Sequence, residues 1–215
     1  MLYVVGTPIG NLKDITLRAL EILKSVDLIA CEDTRVTSKL LARYEISKTL
    51  ISYHQYSKLQ KIDLLINELK NGKNIALVSD AGTPTISDPG DVLVNEAYKN
   101  NIKVISIPGV SACISAISIS GFNTNEFVFL GFLPKKKGRE TMFKSLQTEK
   151  RLIIFYESPF RIKKTLNDIL EKLGDKEVFV ARELTKMFEE VYRGKVSEIM
   201  DKVKEKGEFV VVIKN

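Results

Sequence analysis

A few short, punctuated segments hold most of the residues able to bind and transfer small groups. Gly6-Thr7-Pro8-Ile9-Gly10-Asn11 closes the first apolar run, and its glycines let backbone come close to a ligand. It lacks the third glycine of G-x-G-x-x-G and has no Gly-Lys-Ser/Thr, so neither a dinucleotide fingerprint nor a Walker A loop is present. Ser79-Asp80-Ala81-Gly82-Thr83-Pro84-Thr85-Ile86-Ser87-Asp88-Pro89-Gly90 carries two acidic groups, several hydroxyls and repeated Gly/Pro punctuation, more than a tight turn requires. An acidic loop cradles phosphate poorly and suits a cationic or hydroxyl-rich ligand. Ile107-Pro108-Gly109-Val110-Ser111-Ala112 places Ser111 at an expected helix N-cap. Polar groups also gather at Cys31-Glu32-Asp33-Thr34-Arg35, Tyr53-His54, Tyr156-Glu157-Ser158-Pro159-Phe160-Arg161 and Arg182-Glu183-Leu184-Thr185-Lys186. Such groups serve as acids, bases or anion clamps, or else as helix caps and Glu–Arg ion pairs.

Other chemistries find no support. His54 is the only histidine, and no metal site with sensible ligand spacing can be built around it. Cys31 and Cys113 lie in apolar runs without C-x-x-C spacing, which points to reduced, buried thiols. The apolar start Met1–Gly6 is too short for a signal peptide, so a cytoplasmic protein is expected. The uncharged stretch 104–125 is broken by Pro108, Gly109, Gly121 and serines, and reads as a buried strand followed by a buried helix rather than a membrane span.

The elements that must position these segments follow from periodicity. Val/Ile-rich runs alternate with helical patterns over the first half, the signature of βα units and a mostly parallel sheet. Strands are expected at Leu2–Gly6, Asp27–Glu32, Leu50–His54, Ile75–Asp80 and Lys103–Pro108. Helices are expected near Asp14–Lys24, Thr34–Tyr44, Lys58–Lys70, Pro89–Asn100 and Ser111–Ser120. After residue 122 the pattern changes to strands Phe127–Phe132, Arg151–Glu157, Glu177–Arg182, Glu190–Arg193 and Glu208–Lys214, with helices Arg139–Gln147, Phe160–Leu173 and Lys195–Lys206. The reading is an α/β protein of two domains, 1–122 with a mostly parallel open sheet and 123–215 of mixed α/β type. Ligands of open parallel sheets gather outside the carboxyl ends of the strands, so three turns at such ends should line one crevice, and the cleft between the domains is the expected site.

Charge is unevenly shared. The chain carries 33 basic and 27 acidic residues, of which residues 126–215 hold 20 and 15. A basic surface led by Lys135-Lys136-Lys137-Gly138-Arg139 suits RNA. A lysine-rich background also produces solvated basic runs with no ligand.

Taken together, Thr7-Pro8-Ile9-Gly10-Asn11-Leu12, Cys31–Arg35, Ser79–Gly90, Pro108–Ala112, Phe155–Arg161 and Ala181–Lys186 resemble the tetrapyrrole methylase superfamily, and within it the branch that methylates small-subunit ribosomal RNA. The resemblance implies a class III methyltransferase of two α/β domains, S-adenosylmethionine (SAM) held in the cleft, and a homodimer. It implies 2′-O-methylation of a cytidine ribose in the decoding region of 16S ribosomal RNA, on naked RNA or the small subunit; methyl displacement from a sulfonium does not itself require a metal. Carried over by motif, the SAM contacts are Pro8, Ile9, Gly10, Thr83, Ile86, Ser87, Ser111, Ala112, Tyr156, Leu184, Phe209 and Val210. For the general base or an alkoxide-stabilising cation the candidates are Glu32, Asp33, Glu157 and Lys186, with Glu183, Arg35 and Arg161 also considered. Arg35, Arg161, Lys135, Lys136, Lys137 and Arg139 are candidates for RNA phosphates, planar guanidinium groups being well suited to them. Family members commonly continue past the final Gly-Glu-Phe-Val strand, and Tyr53-His54-Gln55-Tyr56-Ser57 stands where a more acidic, asparagine-containing stretch is usual. Two other readings remain open: a methylase of a small tetrapyrrole precursor, although its G-D-P loop is replaced by Gly82-Thr83-Pro84, and a non-catalytic RNA-binding ribosome-assembly factor.

Overall fold

The apolar runs of the first half become five four-residue strands, β1 (Leu2–Val5), β2 (Leu28–Cys31), β3 (Thr49–Ser52), β4 (Ile75–Val78) and β5 (Val104–Ile107). They pair in parallel in the order β3-β2-β4-β1-β5. β2 and β4 are apolar at every position because helices cover both faces of the sheet. α1 (Leu17–Ser25) and α2 (Thr34–Arg43) pack through Ala19, Leu23 and Leu41 on the face of Val5, Ile29, Cys31, Ala76 and Val78. α3 (Leu59–Lys70) and α4 (Asp91–Lys99) bury Leu65, Ile66, Leu93 and Ala97 on the opposite face, against Leu2, Ala30, Ile75 and Leu77. The chain steps one way along the sheet from β1 to β3 and back from β3 to β5, and a uniform crossover hand then requires the helices to change face. The neighbours β1 and β4 therefore send their chains to opposite faces, which makes the gap beyond their carboxyl ends the topological switch point.

The computed structural model describes residues 1–54 and 59–215, which form two compact units, Met1–Ser111 and Ala112–Asn215. The second holds α5 (Ala112–Ser120), β6 (Phe127–Phe132), α6 (Arg139–Leu146), β7 (Leu152–Glu157), α7 (Ile162–Leu173), β8 (Glu177–Arg182), β9 (Glu190–Lys195), α8 (Val196–Ile199) and β10 (Phe209–Ile213). Its sheet runs β6-β7-β10-β8-β9, with only β6 and β7 parallel. Ile153, Phe155, Val178, Val180, Phe209, Val211 and Ile213 alternate onto one face, where Phe143, Ile162, Leu166 and Ile169 cover them. α5 packs against β7 and β10. A parallel sheet joined to a mixed one is the architecture expected from the sequence.

Some elements differ from expectation. The first helix begins at Leu17 because Thr16 caps it, its hydroxyl accepting from the Ala19 amide at 3.1 Å; residues 12–14 form a separate 3-10 turn. The expected helix over 195–206 shrinks to α8, after which the chain turns toward β10 with Val203 buried in the core. α5, expected to be buried, exposes Ile114 and Ile119. Gln55–Ser57 and the expected helix start at Lys58 lie outside the described residues. Both cysteines are free and buried. Among the described residues no helix is long and apolar enough to cross a membrane.

Candidate active site

Three turns meet at the carboxyl ends of β4, β1 and β5. The turn after β1 and the loop after β4 form a two-bond bridge: the Thr7 amide donates to the Gly82 carbonyl at 2.8 Å, and the Gly82 amide to that of Thr7 at 3.1 Å. The buried Thr7 hydroxyl donates to Ser79 O and Gly82 O at 3.1 and 3.2 Å. Thr83 Oγ1 donates to Val110 O at 3.1 Å, tying in the turn after β5. A Cβ built on Gly6 would stand 2.7 Å from Gly109 Cα, so these two glycines serve the contact of backbone with backbone. The sequence alone assigns the glycines of the first turn to ligand approach; Gly6 instead meets another turn.

The candidate cofactor contacts of the first unit sit on this assembly. Pro8 and Ile9 are buried and Gly10 exposed after β1, Thr83 is half-buried, Ile86 and Ser87 are exposed, and Ser111 directly precedes α5. Thr85 and Ser87 hold φ of 75° and 64°, left-handed values that cost a β-branched residue most. Strain of this kind persists where surrounding structure imposes it, and it clusters in ligand-binding loops.

Beside the turns lie carboxylates that the sequence motifs mark only in part. Asp80 accepts from the Asp33 amide at 2.9 Å, joining the ends of β2 and β4. Asp33 caps α2 and is gripped by Arg35, whose hydrogen bonds lower its carboxyl to about 2. Burial, and then Asp80, raises Glu32. Burial also raises Asp80. Asp88 is pushed up to about 6 by burial and by Glu32, against the opposing hydrogen bond of Ser79. No metal-binding group of His, Cys, Asp and Glu exists among the described residues. A diffuse, partly desolvated set of carboxylates matches an organic cation. Sequence reasoning misses Asp88 and Thr7 as individual residues; the density of acids in the 79–90 loop is the available signal for Asp88.

In the second unit, Tyr156 packs edge-on against Phe129 and Phe132, with ring centroids at 4.9 and 5.6 Å, and its hydroxyl accepts from the Cys113 amide at 3.3 Å. Val210 pairs with Tyr156 across β10 and β7, on the face carrying α5. Phe209, expected as a SAM contact, points the other way with its side chain packed in the core. Leu184 is buried in the loop after β8, where Glu183 and Thr185 are also left-handed. Burial opposes ionisation of Glu183, but Lys186 and the Glu208 amide outweigh it and hold the carboxyl low. Lys186 is raised, burial being outweighed by Glu208 and Glu183.

Three expected contacts are corrected by internal partners. Arg139 is only 6 % exposed and lies inside: it binds Asp168 at 2.7–2.8 Å, Thr165 at 2.9 Å and Pro134 O at 3.2 Å. Glu157 is buried and accepts from the Ser158 amide, the Thr165 hydroxyl and Arg161 at 2.6–2.8 Å, its carboxylate enclosed and engaged within the protein. Arg161 is the matching cation and also donates to Leu133 O at 2.9 Å. A buried charge requires such partners, and this network is their internal solution. Arg35 is exposed but held by Asp33, whereas Lys135, Lys136 and Lys137 are exposed as expected.

Bridged turns at a switch point, acidic surroundings and a mixed second sheet define the class, and the chain belongs to the tetrapyrrole methylases: the family profile described as Tetrapyrrole (Corrin/Porphyrin) Methylases matches residues 1–200. The solved structure of diphthine synthase superposes with a TM-score of 0.77 at 15 % identity, covering 99 % of this chain and 89 % of that one, a likeness of fold. Its curated relatives carry the name ribosomal RNA small subunit methyltransferase I. That of Thermotoga maritima is 52 % identical over 99 % of this chain and 97 % of the relative. That of Halalkalibacterium halodurans is 49 % identical over 99 % of this chain and 75 % of the relative.

Proposed function

We propose that this chain methylates the 2′-oxygen of a cytidine ribose in the decoding region of 16S ribosomal RNA, with SAM as donor, in the cytoplasm and as a homodimer. The observation that carries the reading is the stitched set of turns, Thr7 to Gly82, Gly6 to Gly109 and Thr83 to Val110, beside carboxylates suited to a cation. The names of the relatives supply the RNA substrate. The exposed Ile114 and Ile119 of α5 favour a second copy as partner.

The donor set fits SAM, which is cationic and carries a ribose. In the first unit Ile9 and Gly10 offer backbone amides, Thr83 and Ser87 hydroxyls, Pro8 and Ile86 apolar surface, and Ser111 a hydroxyl directly before α5; the second unit's own candidates are Ala112, Tyr156, Leu184 and Val210, with Phe209 through backbone alone. When bound, SAM supplies a methyl carbon on a sulfonium. The chain's task is to hold the acceptor oxygen in line, since positioning is worth roughly 7–11 kcal/mol, and to take its proton. Among the candidate bases Glu32 is best placed, because burial and Asp80 raise its basicity, whereas Arg35 makes Asp33 a weak base. Lys186 stays cationic and is suited to steadying an alkoxide.

Transfer of labelled methyl from SAM to small subunits from a strain lacking the modification, followed by mapping, tests the reading. Label on one decoding-region cytidine ribose is expected. Label only on a tetrapyrrole precursor, or RNA binding without SAM binding, would replace it.

A further inference from the structure

The turn from β7 into α7 uses up every polar side chain it has. Glu157, Ser158 and Arg161 bond to one another, the amides of Arg161 and Ile162 both donate to Ser158 O at 3.1 Å, and Arg161 reaches across to Leu133 O. In this fixed turn Phe160 alone faces outward, 93 % exposed. A single exposed apolar residue is ordinary; the setting of this one is not. The Arg161 bond ties the turn to the segment after β6, and Arg139 anchors that segment again at Pro134 O, so the loop bearing Lys135, Lys136 and Lys137 is fastened to the first turns of α7. α7 adds Lys163 and Lys164. The arginines nearby are spent on internal carboxylates, but no ion pair engages these five lysines among the described residues.

A rigidly presented aromatic face with free ammonium groups on the segments fastened to it matches an anionic polymer that also offers flat π surfaces. Single-stranded RNA has both properties; a duplex keeps its bases stacked on each other. We propose that Phe160 is a stacking platform for an unpaired nucleobase, with Lys135–Lys137 and Lys163–Lys164 holding the phosphates beside it. This rests on the RNA reading above and adds the place where the strand is held.

The chain has no tryptophan, so Phe160→Trp introduces a single reporter. Titration of the full chain with oligocytidine 12-mer is expected to quench its emission saturably, and inorganic polyphosphate, which lacks bases, to leave it unchanged. Phe160→Ala should bind the oligomer roughly 5- to 150-fold more weakly, the range for one lost base stack, and raise KM for small subunits. Phe160→Tyr should restore both, with the SAM-induced thermal shift unaltered throughout. Methylation by the parent chain, together with unquenched emission from the Phe160→Trp variant and undiminished RNA affinity in Phe160→Ala, would overturn the platform and leave the RNA reading standing. Absence of both methylation and RNA binding in the parent would overturn both. A change in sedimentation of Phe160→Ala without change in RNA affinity would assign the ring to a protein contact and overturn the platform.

Discussion

Gly6 and Gly109 touch through bare backbone: a Cβ on Gly109 would stand 2.8 Å from Gly6 Cα, and the converse distance is 2.7 Å. They follow the adjacent parallel strands β1 and β5, so their contact sets how closely two of the three site turns approach.

Gly6→Ala is therefore expected to separate the turns. Overpacking of this kind costs about 1–3 kcal/mol. Calorimetry should show a lower Tm, and addition of SAM should no longer raise it, because the Thr7–Gly82 bridge next door shifts with it.

Arg139→Met leaves Asp168 buried with Lys172 as its remaining cation, at 3.5 Å. A buried pair broken from one side typically loses about 3–5 kcal/mol. Urea unfolding should show a loss on that scale, and Asp168→Leu in the same chain should recover much of it. An unchanged midpoint would refute the structural role assigned to Arg139.

Asp88 links pH to both stability and ligand. Its carboxyl is raised from 3.8 to about 6, so its contribution to stability is complete below pH 3.8 and is lost as pH rises through about 6. Asp88→Asn should then melt higher than the parent at about pH 7.5 and level with it at about pH 3.5. A cationic ligand prefers the ionised acid, so parent affinity for SAM, measured by calorimetry, should rise from about pH 5 to about pH 7 and the variant should show a flatter profile.

Glu32→Gln should lower the single-turnover rate of methyl transfer by roughly 10²–10⁴-fold while SAM still binds. Asp33→Asn keeps the α2 cap and should lose far less. Equal losses in the two would remove the preference for Glu32.

The strands of the first unit are legible in the sequence because β2 and β4 are continuous apolar runs closed by Glu32-Asp33 and Ser79-Asp80, and a parallel sheet demands that pattern. The three turns are legible as a group for the same reason. What joins them is not: Gly6 and Gly109 lie far apart in sequence, and nothing local says that one glycine exists for another. Arg139 reads as the end of a basic run because its partner Asp168 is on a different helix, 29 residues away. The helix expected over 195–206 is rich in the good helix formers Lys, Glu and Met, but burial of Val203 and the turn at Gly207, with φ of 94°, redirect the chain toward β10. Phe160 escapes notice because exposure is a property of the folded turn.

β1 lies inside its sheet, between β4 and β5, and β10 lies in the middle of the other, between β7 and β8. During synthesis, then, β1 emerges with both edges bare, one awaiting residues 75–78 and the other residues 104–107, while β7 and β8 each keep an edge open for 209–213. Each sheet is complete only when its last strand in sequence, β5 or β10, has been made. The interval before closure is when the nascent protein most needs protection from its neighbours.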